Sequence, residues 1–109
     1  MDELHWNREF ALDQSGNDEE MLKELLELFH SSSGSDLERI KAAVAASDPE
    51  GLMQAAHSMK GAAASLGIEG VRSLAEELEK TGRQGGIAAT ADVARLDALL
   101  ALAVSLDLR

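Results

Sequence analysis

The chain has 109 residues, the size of one domain, and its apolar share is mostly Ala and Leu with Trp6, Phe10 and Phe29 as the only aromatics. Few residues are β-branched and Pro49 is the only proline, a balance that favours long helices over sheets. Twenty acidic against ten basic residues give a net charge of −10, which speaks against nucleic acid and anionic membranes but allows a partner with a basic rim; with no cysteine, disulfides and thiolate metal sites are excluded.

Residues 1–20 are acidic and lack an apolar segment, so they do not read as a signal peptide, and no apolar run is long enough to span a bilayer. A cytoplasmic setting fits. Trp6, Phe10, Ala11 and Leu12 predict one short amphipathic turn or helix, closed by Ser15-Gly16, with His5 as an ordinary surface residue. Asn17 or Asp18 then caps a helix over 18–31, whose stripe is Met21, Leu22, Leu25, Leu26 and Phe29, with Leu28. His30 falls near its end, where a cation suits the helix dipole. Ser31-Ser32-Ser33-Gly34-Ser35 reads as a soft junction, with Ser35 or Asp36 capping a further helix over 36–47 that carries Leu37, Ile40, Ala43 and Val44.

Ser47-Asp48-Pro49-Glu50 is a helix start and Gly67 a helix stop, giving a helix over 49–66. Ile68-Glu69-Gly70 leads into another, which runs through about Thr81 on Val71, Leu74, Ala75 and Leu78. Gly82-Arg83-Gln84-Gly85-Gly86 is the clearest loop. A last helix, between 87 and 107, holds Val93, Leu96, Leu99, Leu100, Ala103, Val104 and Leu106; its second half is apolar around much of its circumference, so it is either covered on several sides or open to a neighbour. Short connections make antiparallel neighbours, so the fold class is all-α: an up-down bundle preceded by a short N-terminal helix or helices, with its core expected from the four longest helices after that turn.

The helix over 49–66 has two unlike faces. At about 100° per residue, Leu52, Ala55, Ala56, Met59, Ala62, Ala63 and Leu66 share one stripe, while His57 points about 160° away from Met59. Gly61 and Ala64 follow on the outward side, one and two turns on, and Lys60 flanks the imidazole at i+3. A glycine inside a helix costs about 1 kcal/mol relative to alanine, so Gly61 asks for a reason, and close approach of another molecule is one. Taken alone, an exposed histidine before a glycine is more often surface decoration.

Other chemistries find no support. The three histidines are far apart and none forms an HxxxH pair, so no metal site is expected. Neither glycine-rich stretch is a phosphate-binding loop, and no nucleophile elbow is present. What survives is group transfer on a solvent-facing imidazole, a competent nucleophile when neutral, beside an ammonium that can hold phosphate oxygens as a point charge.

His57-Ser58-Met59-Lys60-Gly61-Ala62, closed by Leu66-Gly67, resembles the His-x-x-Lys-Gly-[Ser/Ala] signature of the histidine-containing phosphotransfer (HPt) domain family. Leu25–Phe29, Ala42–Asp48 and Leu74–Glu79 are similar to the flanking helices in order, so the likeness spans about residues 8 to 105. Met59 stands where the family usually has Leu, a volume-conserving exchange.

The resemblance implies an antiparallel up-down four-helix bundle, and a carrier rather than an enzyme. His57 would exchange a phosphoryl group with the aspartyl phosphate of a response-regulator receiver domain. Lys60 would assist the phosphoryl oxygens, and Glu79 would hydrogen-bond the histidine, leaving the other ring nitrogen as nucleophile. Gly61, Ser58 and Ala64, and more weakly Gln54, would form the docking surface. No cofactor of its own is implied; Mg²⁺ belongs to the receiver. Partners would be receivers and a sensor or hybrid histidine kinase. The chain is expected to be a monomer, with the final helix as the place for any oligomer. The initial Met suits a free-standing protein, and a fragment of a hybrid kinase is the alternative. The competing function is a helical interaction module that never carries phosphate. The substrate domain of a chemotaxis-type kinase would need an ATP-binding module that 109 residues do not hold.

Overall fold

The first three helices begin where a side chain satisfies free N–H groups. Asn7 accepts from the Phe10 N–H at the head of α1 (Arg8–Gln14). Asp18 accepts from the Glu20 and Met21 N–H groups at the head of α2 (Glu19–Ala45). Asp48 accepts from Gly51 N–H, with Pro49 in the first turn, at the head of α3 (Pro49–Ser65). Gly67, at φ +68°, takes the left-handed turn that ends α3 and admits α4 (Glu69–Arg83). The last helix is α5 (Thr90–Ala103). The computed structural model describes residues 4–106.

Helices α2 to α5 form the bundle. α3 lies between α2 and α4, and α5 closes the ring against the same two helices, while α1 leans on α2. The core between them is built from Leu26, Ile40, Leu52, Met59, Leu78 and Leu96, all almost fully buried. The N-terminal arm docks on the end of α3. Trp6 pairs with Ile68 in an isolated antiparallel bridge, the Asn7 N–H donates to the Gly67 carbonyl at 2.9 Å, and the Trp6 indole N–H donates to the Leu66 carbonyl at 3.0 Å. No helix among the described residues is long and apolar enough to cross a membrane.

Three boundaries differ from the sequence reading. The expected junction at Ser31–Ser35 does not exist: α2 runs unbroken through 27 residues. The helix-weakening cost of four serines and one glycine is small beside the packing that flanks them, since Phe29, Ser33, Asp36, Leu37 and Ile40 are all buried. Ser32 and Ser33 also turn their hydroxyls onto the Phe29 and His30 carbonyls, without leaving the helix. Asp36 is therefore an interior residue and not a cap. His30 lies in mid-helix rather than at an end, half-buried and edge-on to Phe29, with Nε2 buried and unpartnered.

Next, Gly82 and Arg83 complete α4 instead of opening the loop. Finally, α5 is shorter than expected, and the end placed at 107 lies outside the described residues. Its apolar half is divided: Leu96, Leu99, Leu100 and Ala103 are buried, whereas Leu102 and Val104 face solvent.

Candidate functional site

The two faces of α3 separate as the spacing predicts. Leu52, Ala55, Ala56, Met59 and Ala63 are buried, and the His57 side chain, on the opposite side, is 67% exposed. A buried carboxylate from α4 meets it. Glu79 sits on the edge of the stripe formed by Val71, Leu74, Ala75, Leu78 and Gly82, and its side chain is only 2% exposed. Gly82 makes this meeting possible. A Cβ there would lie 2.6 Å from the Pro49 carbonyl oxygen and 2.8 Å from the Met53 nitrogen, so only glycine lets α4 close on α3 at this level.

Glu79 Oε2 is 2.9 Å from His57 Nδ1 and 2.7 Å from Arg83 Nη2, and its Oε1 is 2.6 Å from Lys60 Nζ. The Lys60 ammonium, then the His57 ring N–H, hold this carboxyl well below the usual range, at about 2, against the opposing effect of burial. An ionised carboxylate only accepts hydrogen bonds, so the contact at 2.9 Å places a proton on Nδ1. In the neutral ring, Nε2 then carries the lone pair, and it belongs to the exposed imidazole. Lys60 is 28% exposed, and its ammonium pairs with this buried carboxylate from the same face of α3 as His57.

The remaining sequence candidates fall into two groups. Gly61 is exposed, and a Cβ there would meet nothing within 4 Å; Ala64 is half-buried one turn on. Together they leave a bare strip along α3. Gln54 is exposed and reaches only Glu50, at 3.5 Å. Ser58 is exposed as well, and its hydroxyl donates to Asp36 Oδ2 on α2 at 2.9 Å, while Arg39 Nη1 donates to Asp36 Oδ1 at 3.1 Å. Sequence reasoning missed Arg83, Asp36 and Arg39. Arg83 stands four residues after Glu79, the spacing of a helical ion pair, and was hidden by its assignment to a loop. Among the described residues, no three His, Asp or Glu side chains are grouped as metal ligands.

The Hpt domain family model matches residues 24–106, most of the chain and all of this site. Histidine-containing phosphotransfer protein B from Pseudomonas aeruginosa PAO1 superposes with a TM-score of 0.86 at 26% identity, over 94% of this chain and 90% of that one. The HPT domain of the Hpt sensor hybrid histidine kinase from Shewanella superposes with a TM-score of 0.79 at 19% identity, over 97% of this chain and 92% of that one, a likeness of fold alone. No curated protein matches the chain. The chain belongs to the Hpt domain family, and the resemblance in the histidine motif is confirmed at the level of the whole bundle. It is a phosphotransfer module of two-component signalling, a class that works with histidine kinases and receiver domains.

Proposed function

We propose that His57 is the residue that carries the phosphoryl group, through Nε2. The observation behind this is the pairing of an exposed imidazole with a buried, ionised Glu79 on Nδ1. In the forward step the Nε2 lone pair attacks the phosphorus of a receiver's aspartyl phosphate. The N–P bond forms as the P–O bond to the aspartate breaks, and that electron pair returns to the receiver's carboxylate. Glu79 keeps the Nδ1 proton throughout, so the ring stays in one tautomer and one orientation. The positive charge that the ring gains on phosphorylation faces a carboxylate already in place.

Lys60 is close enough to serve Glu79 and a phosphoryl group on the same face, as a point charge. Gly61 and Ala64 leave room for the receiver, and Gln54 lies on the rim of that surface. The chain supplies the acceptor and its electrostatics; the receiver supplies Mg²⁺ and most of the transition-state stabilisation. This is a carrier, without turnover chemistry of its own, acting as a monomer in the cytoplasm beside receivers and a sensor or hybrid kinase.

The test is direct. A phosphorylated receiver is mixed with the wild-type chain and with His57→Gln. The wild type gains phosphate that acid removes and base does not, and the variant gains none. Drainage of the receiver by the variant rejects the assignment, and a wild-type chain that binds receivers without ever taking phosphate favours a plain interaction module.

A further inference from the structure

The bundle buries two acids in its described core, Asp36 and Glu79, and both sit at one level of α3. Consecutive residues of α3 reach them: His57 turns to Glu79 on α4, and Ser58 to Asp36 on α2. Each acid also holds an arginine from its own helix, Arg83 on the α4 flank and Arg39 on the α2 flank. Burying a carboxylate is costly unless it is paired, and Asp36, whose side chain is 7% exposed, has both oxygens occupied. The Arg39 side chain is 51% exposed and spends one N–H on Asp36, leaving its other donors facing water. Its guanidinium is thus fixed in place two hydrogen bonds from Ser58, the residue next to His57.

This fixed cation stands in an acidic setting. The chain carries a net charge of −10, and α2 presents Glu19, Glu20, Glu24, Glu27 and Glu38 to solvent. If His57 takes phosphate from an acyl phosphate, the partner must bring that dianionic group, and the surface around it, against this field. An interface of ordinary size covers about 800 Å² on each side, so one centred on His57 includes both helices that flank α3. Lys60 and Arg83 serve the α4 side, where Glu79 already draws on them. On the α2 side the cation beside Ser58 is Arg39.

We infer that Arg39, oriented by Asp36, is a docking residue for the receiver that brings the dianionic aspartyl phosphate, on the flank of His57 opposite Arg83. This rests on the assignment of His57 as phosphate carrier. A docking charge acts on encounter, so it changes the second-order rate and its salt dependence more than the rate within the complex.

The experiment uses any phosphorylated receiver that donates to the wild-type chain, with transfer followed over a range of receiver and salt concentrations. Arg39→Gln is expected to lower the second-order rate constant by about 3–10-fold at low ionic strength and to leave the saturating rate within about twofold. The deficit fades as salt rises, and Arg39→Lys restores most of the rate. Arg95→Gln removes an equal charge from exposed α5 and is expected to change neither rate. An unchanged Arg39→Gln rate overturns the inference, as does an equal loss in Arg95→Gln, which would make it a matter of net charge. A loss confined to the saturating rate overturns it too. His57→Gln is run alongside: phosphate on that variant rejects the carrier assignment itself, whereas wild-type transfer with an inert Arg39 rejects only the docking role.

Discussion

Glu79 is the residue on which the site's electrostatics turn, and its ionisation has a measurable cost in acid. Its folded-state pKa of about 2 lies below the ordinary 4.5, so the unfolded chain binds a proton in this window before the folded one does. The resulting stabilisation is complete above about pH 4.5 and is lost as pH falls toward about 2. It amounts to about 3–4 kcal/mol at about 1.4 kcal/mol per pKa unit. Chemical denaturation at stepped pH should show this loss in the wild type and a shallower one in Glu79→Gln. His57, Lys60 and Glu79 were legible in the sequence because their spacing and the family signature act together. Arg83, Asp36 and Arg39 were not, because each becomes meaningful only when a neighbouring helix brings its partner.

At the scale of the helix, two glycines make opposite predictions. Gly34 lies inside α2 with nothing within 4 Å of an added Cβ, so Gly34→Ala should raise stability by about 0.5–1 kcal/mol in urea denaturation. A real break at Ser31–Ser35 would make that exchange neutral. Gly82→Ala should cost about 1–3 kcal/mol, because the methyl meets the backbone of α3 and the helices must part. Local composition misled in both places. A run of serines reads as a junction, and a glycine before Arg-Gln-Gly-Gly reads as a loop, yet a buried neighbour on either side keeps each in its helix. The cap at Asp48-Pro49 and the stop at Gly67 were readable because they depend only on the local chain.

For the whole molecule, the core and the working face are separable. Met59 and Leu74 are buried, and truncation of either to Ala should cost about 2–5 kcal/mol in unfolding free energy. Gly61→Met should leave the melting curve near that of the wild type, since the added side chain has open space, while slowing phosphate exchange with a receiver. A collapsed melting temperature in that variant would mean that the glycine is there for packing. The all-helical, antiparallel packing was legible from periodicity and short connections, whereas the joining of two expected helices into α2 was not. The docking of the N-terminal arm was not, since a single bridge between Trp6 and Ile68 leaves no periodic trace.

That arm has a practical use. Trp6 is the sole tryptophan, and its indole is tethered to the closing turn of the helix that bears His57. Its fluorescence therefore serves as an optical gauge native to the chain, needing no label. Emission should move to longer wavelength as the arm peels from the Leu66 carbonyl. In a gentle urea titration, a red shift ahead of the loss of helical ellipticity would show the arm leaving first, and coincident curves would show that arm and bundle melt as one body.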